Sequence, residues 1–486
     1  MKFGPASRFA CVLLPLWLAA CGGGDSSSPA AAPAPAPAPT PADTQAPSAT
    51  LTTPLDFSSG LVGTLALATL ATDNVAVTGV EFQVDGVQVG STVTAVPYAV
   101  NVDVAQYASG QHVVRSRALD AAGNVSPWSS ATVNFGGTRT QPAGFTRNEG
   151  WITGLSGATA IAQAPDGRLF VAQQGGALRV VKNGALLGTP FMQLTVDSAG
   201  ERGLIGVTTH PNFAANGYLY VYYTSTEGGS HNRISRFTAN GDVLLAGSEV
   251  KLVELPNLSS ATNHNGGALH FGADGKLYVG VGDNANSAQA PDLTKVFGKL
   301  LRFNDDGSIP TDNPFYATSS GQSRAVWAYG LRNPYTFAVQ PGTGRIHVND
   351  VGENTWEEVN LGAAGANYGW PNSEGASGVA AGNAAPIFSY KHSAASPAGS
   401  GAGGFFTGFA IAGGSFYPAS GPFPSAYQGH YFFADFGSRF VARFDLANNA
   451  VYAFGNVSGN PVDMLAGADG ALYVLTRDSI VRFSAP

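Results

Sequence analysis

The sequence predicts an all-β protein in which a six-bladed β-propeller follows a small Ig-like β-sandwich. A turn that feeds an apolar strand recurs through the larger, C-terminal part of the chain. Shorter alternating strands with frequent turn signals precede this part, and no long helical period interrupts either one. Unequal spacing between the copies is typical of propeller blades that carry loops of unequal length.

Composition limits the class of protein. The 486 residues allow two or three domains, and 44% hydrophobic with 12% charged residues describe a compact globular protein. The net charge is −7 and no basic run occurs, which argues against a nucleic-acid-binding surface. The two cysteines, Cys11 and Cys21, both lie near the N-terminus, so the rest of the chain cannot form a disulfide.

The N-terminus has the pattern of an export signal. Lys2 and Arg8 precede the apolar run of residues 9–20, which is too short for a membrane-spanning helix and ends in small residues. Leu18-Ala19-Ala20-Cys21 resembles the bacterial lipobox, which implies removal of residues 1–20 and acylation of Cys21. The alternative is an incidental cysteine near an ordinary cleavage site. Gly22 after the cysteine favours the outer membrane, so we expect an exported protein that is lipid-anchored to the bacterial cell envelope.

Two segments separate this signal from the main domain. Gly, Ser, Ala and Pro dominate residues 21–48, which predicts an extended tether. Residues 49–136 contain short alternating runs and turn signals that predict an antiparallel sandwich, and they resemble the Ig-like modules of secreted bacterial proteins. A spacer role is favoured over carbohydrate binding, because no aromatic platform is visible beyond Tyr98, Tyr107 and Trp128.

The main domain, residues 144–486, repeats a turn followed by an apolar strand. The clearest copies are residues 164–171, 272–279 and 467–474, and looser copies are residues 215–221 and 342–348. Loops from several blades converge at the mouth of a propeller's central channel, so motifs far apart in sequence can share one site.

Three polar loops supply a base, a carboxylate and a cation. His264 lies in Thr262-Asn263-His264-Asn265-Gly266-Gly267, Asp283 follows the strand-like run Gly280-Val281-Gly282, and Arg332-Asn333-Pro334 comes later. Imidazole is suited to proton transfer near neutral pH, and a carboxylate can orient it. The alternatives are a structural histidine, an aspartate that only caps a turn, and an arginine that forms an ion pair between blades.

The order of the motifs resembles that of the glucose/sorbosone dehydrogenase family, the soluble quinoprotein aldose dehydrogenases. The resemblance covers residues 152–483 and implies an enzyme that uses pyrroloquinoline quinone (PQQ) and calcium as cofactors. The motifs that carry it, besides the three polar loops, are Gly200-Glu201-Arg202-Gly203-Leu204, His231-Asn232-Arg233-Ile234, Gly298-Lys299-Leu300, Asp350-Val351-Gly352-Glu353 and Asn367-Tyr368-Gly369-Trp370-Pro371.

The resemblance also implies catalytic roles. His264 would take the proton of the sugar's anomeric hydroxyl while hydride passes to the quinone, and Asp283 would orient the imidazole. Arg332 and Asn333 would lie against the cofactor, where the guanidinium would stabilise charge on the reduced quinone. Glu201 stands where soluble members of the family carry a glutamine that touches cofactor or sugar, and its role is open.

Calcium ligands are implied in the acidic segment that follows. The backbone carbonyls of Gly352 and Glu353 would bind the ion that holds the quinone, because calcium prefers oxygen ligands. Glu358, with the carbonyls of Glu357 and Tyr368, would form a second, structural calcium site. A plain solvated loop is the alternative reading. The other histidines have no zinc-ligand spacing and are expected to be structural.

One departure from the family pattern concerns the cofactor's carboxylates. Family members bind these groups with a lysine and two later arginines, whereas this chain has Gly437 or Ser438 and then Asn460 and Val462 at those places. The cations near these places in the sequence are Lys391, Arg439 and Arg443.

The expected function is that of an exported quinoprotein that oxidises an aldose or a related sugar at the anomeric carbon. The chain has no Cys-x-x-Cys-His haem motif, so electrons would pass to an external acceptor. The main alternative is a non-enzymatic propeller that binds a protein or carbohydrate partner, as in the hedgehog-interacting proteins. A calcium-dependent lactone hydrolase suits the sequence less well, because it leaves Arg332 without a task.

Overall fold

The computed structural model describes residues 43–485 except residues 56–57, 59–60, 62, 108–109, 136–140, 143, 377 and 393–407. The predicted signal peptide, the lipidation site at Cys21 and nearly all of the predicted tether lie outside the described residues. Within the described part of the chain, no helix is long and apolar enough to span a membrane.

Strands dominate the structure, and the prediction of an all-β protein is confirmed. The described residues contain one short α-helix, Phe213–Asn216. They also contain four short 3-10 helices, at Val104–Gln106, Ser287–Gln289, Gly321–Ala325 and Ser425–Tyr427.

The N-terminal part forms two antiparallel sheets that share one apolar core. Leu67 comes from one sheet and Phe82, Val114 and Val133 come from the other, and all four side chains are buried together. One sheet has the strand order β1 (Ser48–Thr53), β2 (Thr64–Thr72), β5 (Ala99–Asp103), and the other has the order β4 (Val87–Gln88), β3 (Val77–Val84), β6 (Gly110–Asp120), β7 (Ser129–Phe135).

The rest of the chain forms consecutive antiparallel sheets, which follow one another in sequence order. The first sheet contains β9 (Ala158–Gln163), β10 (Leu169–Gln173), β11 (Ala177–Lys182), β12 (Ala185–Leu186) and β13 (Met192–Gln193). The second contains β14 (Leu204–Thr209), β15 (Tyr218–Ser225), β16 (His231–Asn240), β17 (Val243–Leu244) and β18 (Val250–Asn257). The third contains β19 (Leu269–Phe271), β20 (Leu277–Val281), β21 (Lys299–Phe303) and β22 (Val326–Tyr329).

The later sheets each have four strands. The fourth sheet contains β23 (Pro334–Val339), β24 (Ile346–Asp350), β25 (Trp356–Gly362) and β26 (Phe388–Lys391). The fifth contains β27 (Ile411–Phe416), β28 (Tyr431–Asp435), β29 (Phe440–Asp445) and β30 (Ala450–Asn456). The last contains β31 (Pro461–Ala466), β32 (Leu472–Thr476), β33 (Ile480–Ser484) and the earlier strand β8 (Thr146–Ile152).

The first strands of these sheets form a closed ring. Strands β9, β14, β19, β23, β27 and β31 contact one another in sequence order, and β31 contacts β9. Strand β8 pairs with β33, with Ile152 opposite Ile480, so one sheet joins the beginning of the domain to its end. The ring therefore brings the loops that precede or follow these strands together around one centre.

The turn that repeats in the sequence has the same construction in its three clearest copies. Asp166, Asp274 and Asp469 each accept, through Oδ1, the backbone N–H two residues later at 3.1 Å. The glycine that follows each aspartate has a positive φ of 86°, 71° or 77°, which glycine adopts without steric cost. Each turn delivers a fully buried strand, β10, β20 or β32, into the core between neighbouring sheets.

Candidate active site

His264 lies in an irregular loop between β18 and β19 and has an unusual backbone conformation. Its φ is 57°, in the left-handed region that residues other than glycine rarely adopt. Its backbone N–H donates to Glu201 Oε2 at 2.7 Å, and the residue is 9% exposed. Backbone strain of this kind concentrates at functional sites, and the Glu201 carboxylate helps to hold it.

Asp283 fixes the imidazole of His264. The distance from His264 Nδ1 to Asp283 Oδ1 is 2.7 Å, and Asp283 is 1% exposed at the end of β20. Asp283 Oδ2 accepts the indole N–H of Trp370 at 2.9 Å, and Oδ1 also accepts the Ala285 N–H at 2.8 Å. Because an ionised carboxylate only accepts, a neutral imidazole at this position carries its proton on Nδ1 and has its lone pair on Nε2.

Glycine before Asp283 is required for the close approach of the two loops. A Cβ at Gly282 would lie 2.2 Å from the carbonyl oxygen of His264 and 2.8 Å from Asn333 Oδ1. Any side chain there would push the His264 and Asn333 loops apart. The Gly-Val-Gly-Asp spacing noted in the sequence therefore reflects packing as well as chemistry.

Asp350 organises the Arg332-Asn333 loop. Its Oδ2 accepts the Arg332 N–H at 2.9 Å, and its Oδ1 accepts the Asn333 N–H at 2.7 Å. Asn333 Oδ1 accepts the Gly266 N–H at 3.0 Å, which ties this loop to the His264 loop. The sequence alone indicated no separate role for this aspartate.

Arg332 lies beside Trp370 rather than in an ion pair between sheets. Its guanidinium carbon is 5.6 Å from the centre of the Trp370 ring, and Nη1 donates to the Val351 carbonyl at 3.1 Å. Its buried Nε has no hydrogen-bond partner among the described residues, and no described carboxylate forms an ion pair with it. This guanidinium is therefore positioned mainly by neutral groups.

A cavity of about 320 Å³ lies beside these loops, at one end of the ring of first strands. Its walls are largely apolar, while Glu201, Asn333 and Arg477 contribute polar groups. The remaining lining residues are Thr159, Gln174, Gly200, Ile205, Tyr335, Val351, Ala410, Ile411, Ala412, Phe436 and Val462. The backbone N–H of His264 donates to Glu201, which lines the cavity. The N–H of Gly266, in the same loop, donates to Asn333, which also lines it.

A wider groove of about 810 Å³ lies at the opposite end of the strands, where the Asp-Gly turns are located. Its charged groups already pair with each other, as in Arg168 with Asp166 and Lys182 with Asp242. None of the predicted site residues lines it. The smaller cavity is therefore the candidate active site.

The Gly352-Glu353 segment follows β24 directly beside the cavity, which Val351 lines. Glu374 Oε1 accepts the N–H groups of Glu353 at 2.8 Å and of Trp356 at 3.1 Å. This arrangement holds the segment as a tight loop around one carboxylate oxygen. Its backbone carbonyls remain the groups through which the predicted calcium would be bound.

Glu358 and Asp350 bring two buried carboxylates close together. They are register partners in the β24–β25 pair, and each is less than one tenth exposed. Burial, with the nearby charge of Glu358, raises the pKa of Asp350 well above its ordinary value. Burial also raises the pKa of Glu358 to about 7, although Asn360 and the Gly375 N–H donate to it.

The side chains of Glu357 and Tyr368 have hydrogen-bond partners other than the Asp350–Glu358 pair. The Glu357 carboxylate contacts His392 Nε2 at 2.6 Å and accepts the Ile411 N–H at 2.9 Å, because successive residues of a strand face opposite sides. The Tyr368 hydroxyl donates to the Leu361 carbonyl at 2.7 Å. Around Glu358, the described residues do not gather three carboxylate or histidine ligands, so a calcium site there would depend mainly on carbonyl oxygens.

The structure therefore joins Glu201, His264, Asp283, Arg332 and Asn333 in one hydrogen-bonded assembly beside the cavity. Sequence reasoning missed three members of this region. Asp350 and Trp370 lie inside motifs that had been noted without roles, and Arg477 lies outside them. The turn-strand repeats contain a signal for Arg477. Gln174, Val351 and Arg477 each come three residues after the end of a copy, and all three line the cavity.

Lys299 lies beneath the loop that carries Asp283. It is fully buried, and its Nζ donates to the carbonyl oxygens of Gln289, Ala290 and Phe297 at 2.8, 2.8 and 2.7 Å. Burial lowers the pKa of Lys299 to about 7 from its ordinary value of 10.5, against the opposing charges of Asp292 and Asp283. The side chain thus stabilises the loop between β20 and β21 through hydrogen bonds to three of its carbonyl oxygens.

Replacing Lys299 by methionine is expected to lower the free energy of unfolding by about 2–4 kcal/mol, because buried carbonyl oxygens lose their donor. Between about pH 7 and 10.5 the unfolded chain holds more protons than the folded chain, so wild-type stability rises with pH there relative to the variant. Urea denaturation at several pH values measures both effects. The exposed Lys295→Met variant is the control, and equal midpoints for the two variants would contradict the supporting role.

Comparison with known proteins points to one family for the main domain. The family model described as Glucose / Sorbosone dehydrogenase matches residues 155–482, and a bacterial Ig domain model matches residues 47–115. The chain is 30% identical over 341 residues to the aldose sugar dehydrogenase YliI of Escherichia coli, which covers 66% of this chain and 87% of that protein.

Other similar proteins cover less of the chain or are more distant. Quinoprotein glucose dehydrogenase B of Acinetobacter calcoaceticus is 32% identical over 46% of this chain and 52% of that protein. Mouse hedgehog-interacting protein is 30% identical over 41% of this chain and 32% of that protein. The solved structure of the PQQ-bound aldose sugar dehydrogenase of Streptomyces coelicolor is 25% identical, with a TM-score of 0.57 over 71% of this chain and 100% of that one.

Proposed function

Because this chain belongs to the glucose/sorbosone dehydrogenase family, we propose that it is a quinoprotein that oxidises an aldose or related sugar at the anomeric carbon, with PQQ and calcium. The observation that carries the proposal is the buried His264–Asp283 pair at 2.7 Å beside a cavity lined by Asn333 and Arg477. A relative named as a quinoprotein and a neighbouring structure described as PQQ-bound support the choice of cofactor.

His264 acts as the base in this proposal. Its Nε2 accepts the proton of the anomeric hydroxyl, while Asp283 holds the ring and stabilises the imidazolium that forms. PQQ, when bound, supplies the acceptor for the hydride that leaves the same carbon. The sugar thus loses a hydride and a proton and leaves as a lactone.

The residues around the cavity fit a flat anionic quinone. Apolar side chains such as Ile205 and Val462 form the walls, as expected for a site that binds an aromatic ligand. Asn333 accepts the Gly266 N–H through Oδ1, so its NH2 group is the end that can donate to a ligand. The guanidinium of Arg332, with an unpartnered buried Nε, supplies positive charge beside this site.

The acidic segment fits calcium. Asp350 and Glu358 are buried near each other, and an oxygen-liganded cation would offset the burial and the neighbouring Glu358 charge that raise the pKa of Asp350. Carbonyl oxygens of Gly352 and Glu353 would hold the ion next to the cavity. Glu358 with the carbonyls of Glu357 and Tyr368 would hold the second ion.

Removal of calcium with EGTA is expected to lower the Tm of the protein by about 5–10 °C, because a metal that binds only the folded state stabilises it. Differential scanning fluorimetry with and without EGTA measures the change. Added Ca²⁺ should restore the Tm and Mg²⁺ should not, since Mg²⁺ demands a smaller, octahedral site. An unchanged Tm after EGTA treatment would remove calcium from the proposal.

The proposal also covers the organisation of the chain. The closed ring of first strands supports a propeller in which each of the six sheets is a blade, and the two-sheet core supports an Ig-like sandwich at residues 49–136. The lipobox-like sequence supports export and lipid anchoring through Cys21.

The deciding experiment is titration of the purified, calcium-loaded chain with PQQ, followed by dye reduction in the presence of a panel of aldoses. Saturable binding with sugar-dependent dye reduction is the expected result. Failure to bind micromolar PQQ by a folded, calcium-loaded protein would overturn the proposal. That result would favour the alternative of a propeller that binds a protein or carbohydrate partner.

A further inference from the structure

Arg477 occupies a distinctive place in the cavity. It follows β32, whose last residue, Thr476, is the register partner of Pro461 at the start of β31. Its backbone N–H donates to the Asn460 carbonyl at 3.2 Å, and its side chain lines the cavity together with Val462. A cation that directly follows β32 therefore lies beside Asn460 and Val462, the uncharged residues around the start of β31.

The guanidinium of Arg477 is held by neutral groups. Nη1 donates to the Ala158 carbonyl at 3.2 Å, and Nη2 donates to Gln174 Oε1 at 2.5 Å. Gly157 permits this position, because a Cβ there would lie 3.2 Å from Nη2. These bonds use two of the five guanidinium N–H groups, and no described carboxylate forms an ion pair with Arg477.

Gln174 connects Arg477 to the loop that supports His264. Its Nε2 donates to the carbonyl oxygens of Gly200 at 2.6 Å and Arg202 at 3.0 Å, on either side of Glu201. The Glu201 carboxylate accepts the backbone N–H of His264. The cavity therefore contains a preorganised cation whose remaining donors have no acidic partner among the described residues.

The other nearby cations have different positions. Arg443 is buried, donates to the Ala426 carbonyl at 2.9 Å and stacks on Tyr427, and Lys391 lies over the Trp356 ring. Arg439 is exposed and donates to the Ser458 carbonyl at 2.9 Å. None of these three lines the cavity.

We propose that Arg477 binds a carboxylate of the quinone and thereby supplies the charge that is absent at Asn460 and Val462. This inference rests on the proposed function. A guanidinium offers two parallel N–H groups to a carboxylate, and such charge-assisted pairs are stronger than neutral hydrogen bonds. Arg477 is a binding residue in this scheme and takes no part in proton transfer.

The test compares PQQ with its trimethyl ester, which lacks the carboxylate charges. Dissociation constants are measured by fluorescence quenching for the calcium-loaded wild type, Arg477→Gln, Arg477→Lys and Arg439→Gln. We expect Arg477→Gln to weaken PQQ binding by about 10- to 100-fold and to leave ester binding within about threefold of wild type. Arg477→Lys should weaken PQQ binding less than Arg477→Gln does, because lysine keeps the charge but lacks the paired N–H groups, and Arg439→Gln should match the wild type.

Other results would overturn the inference. Equal loss of PQQ and ester binding in Arg477→Gln would indicate a structural role, and unchanged binding of both would show that no carboxylate contacts Arg477. If Arg477→Gln does not fold, Arg477→Lys decides: a reduced preference for PQQ over its ester, from loss of the paired N–H groups, supports the inference, and the wild-type preference overturns it. If the folded wild type binds neither compound, the proposed function itself fails and this inference falls with it.

Discussion

Replacing His264 by alanine is expected to lower kcat for sugar oxidation by about 10²- to 10⁴-fold, which is the usual contribution of a positioned general base. The affinity for PQQ should change little, because the His264 side chain does not line the cavity and its backbone bond to Glu201 remains possible. Stopped-flow reduction of the bound quinone by sugar measures the chemical step separately from dye reduction. The result would thus separate proton transfer from cofactor binding.

The control for this variant is His210→Ala. His210 follows β14 at the end of that strand opposite the cavity, where it contacts Asn216 at 2.9 Å. Its replacement should leave kcat within about twofold of the wild type, because it cannot act as the base. A comparable loss of activity in both variants would show that the His264 effect is a general loss of folded protein. Full activity in His264→Ala would exclude it as the base.

Replacing Asp283 by asparagine is expected to lower kcat by about 10²- to 10³-fold with little change in KM. An asparagine can donate to Nδ1 through its NH2 group, which moves the imidazole proton to Nε2 and removes the lone pair that accepts the substrate proton. It also places a neutral group where the imidazolium forms. The pH profile of kcat should change as well, which a purely structural role would not produce.

Asp292→Asn is the matched control, since Asp292 lies in the same loop and accepts the Thr294 N–H at 2.8 Å without contacting His264. It should keep near wild-type kcat. The double variant His264→Ala/Asp283→Asn should be about as slow as His264→Ala, because residues that act as one unit have non-additive effects. Additive losses would mean that Asp283 contributes independently of His264, and wild-type activity in Asp283→Asn would reduce Asp283 to a turn cap.

Much of the strand pattern could be predicted because it depends on local chemistry. An Asp-Gly turn and an apolar run are enough to predict a buried strand, as β10, β20 and β32 show. The candidate site was also visible in part, since His264, Asp283 and Asn333 stand in loops beside such strands. Their roles are still predictions, but their proximity is a property of the structure.

Other features depend on contacts between distant residues. Trp370 reaches Asp283 across 87 residues of sequence, and no local pattern indicates that bond. The cations that the sequence analysis named, Lys391, Arg439 and Arg443, do not line the cavity, whereas Arg477 does. Distance along the chain does not separate Arg443 from Arg477 as neighbours of Asn460, because pairing of β31 with β32 sets which side chains meet.

The sequence by itself determined the all-β class, the repeated turns and the polar residues available for chemistry, because periodicity and turn preferences act within a few residues. Only the tertiary structure decided which polar groups share a site. The closed ring of first strands brings the loops of Glu201, His264, Asp283 and Arg332 together, and it places Arg477 in the same cavity. Hydrogen bonds and charges act over a few ångströms, so their partners are chosen by strand pairing and packing rather than by distance along the chain.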